Sequence, residues 1–144
     1  SAGAAAGAGE FIRGLRAAHR SPLAALRAYS DCMAGLAASP AALARNLAYL
    51  QIDLSDADFR RHLAAHARAT RAGLEALLRD AVAAGELVSS ARPRALARTV
   101  EALLGGSMLT WAYYREGTAA RWMRRDLEAV LGPWKSREAG SGKR

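Results

Sequence analysis

The sequence lacks the features of a secreted or membrane-spanning protein. Cys32 is the only cysteine, which excludes an intrachain disulfide and gives no sign of an oxidising compartment. The first residues, SAGAAAGAG, have neither the basic start nor the Leu/Ile/Val-rich core of a signal peptide. The longest uncharged run of the helical body, residues 102–114, is shorter than the roughly 18 apolar residues of a membrane span. We therefore expect a cytoplasmic protein with no membrane partner.

Aromatic residues, prolines and strand-like alternation are also scarce. Aromatics make up only 6% of the 144 residues and there are four prolines, whereas hydrophobic residues make up 51%. A chain of this length forms one domain with a sizeable core. Because the apolar residues recur at helical spacing, the sequence predicts an all-α fold, a bundle of about five to six helices.

Lysine is nearly absent as well, and this affects the interpretation of charge. The formal net charge is +8, but all except two of the 21 basic residues are arginines, and they are spread over several helices. We therefore do not infer nucleic-acid binding from charge alone. The one cluster, Arg121, Arg124 and Arg125, either contacts phosphate or an acidic partner, or forms a solvated helix face that pairs locally with Asp126 and Glu128. We favour the solvated face.

Capping residues divide the chain into helices. Serine–proline pairs at positions 21 and 39 place a capping serine before a proline at the first helical position. Ser55 with Asp58 predicts a capping box, and Gly85 ends the long helix that follows. The predicted helices cover about residues 11–19, 21–38, 39–51, 55–85, 93–117 and 118–131.

These helices form one predicted domain, residues 11–134, between two tails. Residues 1–10 are small and flexible, and residues 135–144 are basic and carry no apolar pattern. We expect both tails to be disordered.

The last two predicted helices, residues 93–131, form a markedly apolar pair. Two neighbouring stripes make the first of them nearly apolar all round from Ala102 to Tyr114. Gly105 and Gly106 each cost about 1 kcal/mol relative to alanine inside a helix, and close approach of a neighbouring backbone is the usual compensation. We expect this helix to be covered by its own domain on one side and by a second copy of the chain on the other.

The order of the helices resembles the C-terminal domain of the bacterial TetR-family transcriptional regulators. The resemblance covers about residues 11–134 and is carried by the SPLAALRAY entry, the RDAVAAGELVSSARPRALA end of the long helix, the GGSMLTWAYYREG turn and the final RRDLEAVL. It implies that the last two helices form a four-helix bundle with those of a second subunit, and that the middle helices enclose a cavity for a small-molecule effector. It also implies that the effector controls binding to operator DNA. No helix-turn-helix is present, so we expect contact with operator DNA only through an N-terminal domain missing from this sequence.

Two sets of candidate residues follow, one for an unknown effector and one for the homodimer. Aromatic and thioether side chains on inward stripes suit an apolar or aromatic ligand, although each of them alternatively fills the core. The candidate ligand pocket comprises Tyr29, Met33, Leu47, Phe59, Leu63, His66 and Trp111. The candidate dimer interface comprises Gly106, Leu109, Tyr113, Trp122, Leu127 and Val130.

No metal, cofactor or enzymatic activity is expected. Asp58, His62 and His66 are spaced four apart, as metal ligands can be, but the helical wheel turns Asp58 away from His66 and the helix start gives it a structural role. Signatures such as G-x-S-x-G, H-E-x-x-H and a glycine-rich phosphate loop are missing. The alternative to a regulator domain is a stand-alone helical module that binds a protein partner through the same apolar pair and has no ligand pocket.

Overall fold

The computed structural model describes residues 2–37 and 39–137, and it confirms the all-α class. This part of the chain has no strand, only an isolated antiparallel bridge between Leu87 and Lys135. Its six helices are α1 (Ala2–Ala18), α2 (Pro22–Gly35), α3 (Pro40–Leu54), α4 (Ala57–Ala83), α5 (Pro93–Tyr114) and α6 (Ala119–Leu131), and a 3₁₀ turn follows over Gly132–Trp134. None of the helices so described is both long and apolar enough to cross a bilayer.

Capping hydroxyls and one left-handed glycine determine several of the helix boundaries. The Ser21 hydroxyl accepts a hydrogen bond from the amide of Ala24 at 3.0 Å, and the Thr118 hydroxyl accepts one from the amide of Arg121 at 3.2 Å. Gly85 has a φ of 78°, the left-handed conformation that commonly follows a helix end. The starts of α2 and α6 and the end of α4 therefore lie close to where the sequence predicts them.

The N-cap of α4 differs from the prediction by one residue. The cap is Asp56, whose Oδ1 accepts hydrogen bonds from the amides of Asp58 at 2.9 Å and Phe59 at 3.2 Å. A carboxylate in this position satisfies two amides and also meets the positive end of the helix dipole. The predicted capping box beginning at Ser55 is therefore wrong.

The N-terminal segment predicted to be disordered is helical from Ala2 onward. Alanine has the highest helix propensity, and α1 is held along α4 by side-chain contacts. Ile12 packs on Gly73, where a Cβ would lie 2.6 Å from Ile12 Cδ1, and Arg16 Nε pairs with Asp80 Oδ2 at 3.0 Å. Only the first residue of the predicted tail lies outside the described residues.

Helix α4 is the centre of the bundle, as its length predicts. It contacts α1, α2, α3 and α5, while α6 packs against α2 and α5. The side chains at the centre of the core are fully or almost fully buried and include Leu26, Leu74, Leu77, Leu78, Val100, Met123, Leu127 and Leu131.

The start of the predicted C-terminal tail is ordered against the α4–α5 loop. Lys135 forms the bridge with Leu87, and the Ser136 amide donates a hydrogen bond to the Glu86 carbonyl at 3.1 Å. The prediction of disorder is wrong for these two residues, because the loop supplies backbone partners that no local pattern reveals. The tail from residue 138 onward lies outside the described residues.

Candidate functional site

The hairpin of α5 and α6 has an outer face that is uncharged over most of its length. Spacings of three, four and seven residues place two sets of exposed or half-buried residues on one side of each helix. We define the outer α5–α6 face by these residues: Ala102, Gly105, Gly106, Leu109 and Tyr113 of α5, and Trp122, Arg125 and Ala129 of α6. Tyr113 is 68% exposed, so most of its ring is accessible to a partner.

Gly105 and Gly106 open onto empty space in the middle of this face. A Cβ added to either glycine would meet no atom within 4 Å, leaving aside its chain neighbours and the adjacent backbone of its own helix. Gly73 of α4 is the opposite case, because Ile12 occupies the room that it leaves. The two glycines of α5 therefore weaken the helix without serving any packing contact inside the described chain.

Two hydrogen bonds and one ring contact hold α5 against α6. The buried Ser107 hydroxyl donates to Asp126 Oδ2 at 2.7 Å, and Trp122 Nε1 donates to Thr110 Oγ1 at 3.1 Å. The Tyr114 ring stacks on the Trp122 ring with centroids 5.5 Å apart. These contacts keep the two halves of the outer face in a fixed relative position.

Two of the six candidate interface residues belong to the inner side of α6. Leu127 is completely buried in this chain, so it has no surface to offer a partner, and its assignment to the interface is wrong. Val130 is half-buried and packs against the core. The reason is that Met123, Leu127 and Leu131 form the inward stripe of α6. The other four candidates lie on the outer α5–α6 face.

The candidate pocket residues on α3 and the first half of α4 lie at the surface. Leu47 and Phe59 are 37% and 41% exposed, His66 is exposed, and Leu63 is half-buried. Helix α3 packs on α4 far less extensively than α1 does, so this end of α4 is covered less than its apolar stripe suggests. An enclosed cavity lined by all seven candidates is therefore not what the structure contains.

Of the other three candidate pocket residues, two lie in or against the core and one lines a different surface. Tyr29 is buried with its ring 6.3 Å from that of Phe11, and Met33 is half-buried against the core. Burial, with the nearby Glu101 carboxylate second, raises the pKa of Tyr29. Trp111 lines a concavity of about 440 Å³ between the end of α2 and the start of α6.

A groove between α1 and α4 is a feature that the sequence analysis missed. Its volume is about 410 Å³, and its lining consists mostly of alanine and glycine from both helices together with the buried Ile12 and Leu77. Arg13, Arg16 and Asp80 are its charged residues. It was missed because one wall belongs to the segment predicted to be disordered, and because small side chains give no amphipathic signal.

Two of the three clustered arginines of α6 contact side chains of this chain, but none of the described contacts is the predicted pairing with Asp126 or Glu128. Arg124 pairs with Asp31 of α2 at 2.5 Å, and the Arg125 guanidinium lies 5.8 Å from the centre of the Trp122 ring. Arg121 is exposed. The carboxylate that pairs with Arg124 is therefore on another helix, not on α6 as predicted.

Glu128 also pairs across the bundle instead of with its neighbours on α6. Its carboxylate accepts from Arg27 Nε and from Lys135 Nζ, each at 2.5 Å. Partial burial raises the pKa of Glu128, but the hydrogen bonds and charges of these two cations outweigh it and lower the pKa to about 2. These two ion pairs connect α2 and the C-terminal segment to α6.

Further arginines gather on the α4–α5 surface. Arg68, Arg71, Arg79 and Arg94 surround a concavity of about 310 Å³ with one glutamate, Glu75, among its lining residues. Two of the four arginines are paired with glutamates, at 3.0 Å in both cases. This concavity is therefore positively charged.

The described residues place no group of three or more His, Cys, Asp or Glu side chains where they could hold a metal ion. Asp58 pairs with Arg61 at the surface, and His62 is exposed. Cys32 is a free, exposed cysteine.

No protein-family model, curated protein or solved structure matches this chain.

Proposed function

We propose that this chain is the effector-binding and dimerisation domain of a TetR-like transcriptional regulator. In this proposal α5 and α6 pair with those of a second copy, a small apolar or aromatic ligand binds each subunit, and ligand binding controls an operator-binding domain outside this sequence. The helix order and the resemblance of the terminal helix pair support the assignment to a regulator. The observation that supports the dimer is the empty space over Gly105 and Gly106 in an exposed face whose only charged member is Arg125.

A second copy suits this face better than an unrelated partner. A two-fold interface places the same surface on both sides, so small residues on one α5 can admit the bulky Leu109 or Tyr113 of the other. The 22 residues of α5 extend over about 33 Å, long enough for a contact of the roughly 800 Å² per subunit that stable interfaces bury.

Two glycine substitutions test the location of the interface. Gly106→Arg puts a charged side chain into the proposed contact, whereas Gly14→Arg changes an open glycine in the interior of α1. By light scattering, the unmodified chain and Gly14→Arg should have twice the 15.2 kDa mass of one chain, and Gly106→Arg should have the monomer mass.

A monomeric unmodified chain at tens of micromolar would refute the dimer and favour a helical module for a different protein partner. A dimer that survives Gly106→Arg would refute the outer α5–α6 face as its interface.

A further inference from the structure

We propose that the α1–α4 groove binds a small organic acid, with an apolar body along the groove and a carboxylate recognised by Arg13. This inference rests on the proposed function and deepens it, because it assigns a place and a chemical class to the effector.

The size and lining of the groove suit a compact apolar body. Binding pockets for small molecules typically have volumes of about 300–1,000 Å³, and the groove has about 410 Å³. An apolar cavity of roughly 150 Å³ holds benzene, so the groove accommodates a body of about two fused rings. Ala69, Ala72 and Ala76 of α4 lie along it without long side chains to fill it.

Arg13 supplies a cation that the described part of the chain leaves available. No carboxylate or other hydrogen-bond acceptor of the described residues pairs with Arg13, whereas Arg16 is engaged by Asp80 and by the His19 carbonyl, both at 3.0 Å. The Arg13 guanidinium lies over Gly9, 3.0 Å from where a Cβ on Gly9 would be. Glycine at this position makes room for the guanidinium beside the groove, where its fork of donors matches a carboxylate.

The neighbouring surface favours an anion over a cation. Ala72 lines both the groove and the adjoining concavity, where four arginines outnumber Glu75 and the Glu101 that pairs with Arg71. Such a one-sided distribution raises the local concentration of anions and disfavours amines. The apolar lining, in turn, disfavours inorganic anions, which bring no surface to bury.

A matched pair of probes separates the contribution of the carboxylate from that of the apolar ring system. In titration calorimetry, 2-naphthoate should bind about tenfold more tightly than 2-naphthamide, which has nearly the same size but no charge, as expected for a charge-assisted hydrogen bond. Arg13→Gln should remove this preference. Ala76→Phe should abolish binding of both probes by filling the groove, and it should fold because Ala76 is exposed. Arg60→Gln, an exposed arginine near the start of α4, is the control that should change nothing.

The possible failures point to different conclusions. Equal affinity for the two probes in the unmodified chain overturns the organic acid, and a preference that persists in Arg13→Gln overturns Arg13 as the residue that recognises its carboxylate. Absence of binding, or binding unaffected by Ala76→Phe in a variant with an unchanged circular-dichroism spectrum, overturns the groove as the site. Light scattering on the same samples tests the proposed function separately, because a monomer that binds naphthoate refutes the dimer and leaves the groove in place.

Discussion

Among single residues, Glu128 carries the clearest electrostatic signature. Its pKa of about 2 lies below the ordinary value of 4.5, so the ionised form is favoured in the folded chain. Its contribution to stability is therefore complete above about pH 4.5 and is lost as the pH falls towards 2. Because the pairs with Arg27 and Lys135 are partly open to solvent, screening reduces this contribution to about 1 kcal/mol.

Glu128→Gln should accordingly destabilise the chain by about 1 kcal/mol at pH 7, and the difference from the unmodified chain should shrink between pH 4.5 and pH 3. Urea unfolding at several pH values measures both effects. Glu116→Gln, at an exposed glutamate of the α5–α6 turn, serves as the control. A difference that does not depend on pH would contradict the assigned pairs.

Two glycines with opposite surroundings give a second test at this scale. Gly73→Ala forces a Cβ to within 2.6 Å of the buried Ile12 side chain, whereas Gly14→Ala meets nothing. We expect Gly73→Ala to lose about 1 kcal/mol, the overpacking penalty less the gain in helix propensity. Gly14→Ala should gain up to about 1 kcal/mol. Chemical denaturation measures the two changes, and equal stabilisation by both would refute the close contact of α1 with α4.

At the scale of helices, the contact between α5 and α6 depends on the hydrogen bond from Ser107 to Asp126. Ser107→Ala leaves the half-buried Asp126 carboxylate without this donor, and a double-mutant cycle with Asp126→Ala should give a coupling of about 1 kcal/mol. Thr99→Ala is the control, because the Thr99 hydroxyl donates only to the Ala95 carbonyl of the same helix. A coupling near zero from unfolding measurements would contradict this role for Ser107.

Helix boundaries are the part of the fold that the sequence predicts well, because caps and left-handed glycines act over three or four residues. Ser21, Thr118 and Gly85 illustrate this. The first turns of α1 were not predicted, since alanine and glycine give no amphipathic pattern. The contact between Gly73 and Ile12 that places α1 lies 61 residues apart in sequence, beyond the reach of any local rule.

The candidate site was predicted less well, for a related reason. Helical periodicity identifies an apolar stripe but not the element that covers it. Phe59 is exposed because α3 leaves this end of α4 uncovered, and Leu127 is buried because its stripe of α6 points inward. The α1–α4 groove escaped prediction because its lining side chains are small and Arg13, which lines it, has no motif around it.

At the scale of the whole molecule, the described residues form a buried core and, on α5 and α6, an exposed and largely uncharged face. The buried core explains the apolar residues on the inner sides of the helices around α4. It does not account for Gly105 and Gly106, or for Tyr113 with 68% exposure. The proposed two-fold dimer through the outer α5–α6 face would account for these residues together, and it would place the two α1–α4 grooves on separate subunits.

Hydroxyl-radical footprinting across a range of protein concentrations tests this dimer most directly. Tyr113 and Leu109 report on the outer α5–α6 face, and Phe11, 43% exposed on α1, provides an internal control in the same sample. If the face is the interface, oxidation of Tyr113 and Leu109 falls as the chain dimerises with rising concentration, while oxidation of Phe11 stays constant. Oxidation of Tyr113 that stays constant through the monomer–dimer transition, or protection that appears at Phe11 instead, would contradict the account.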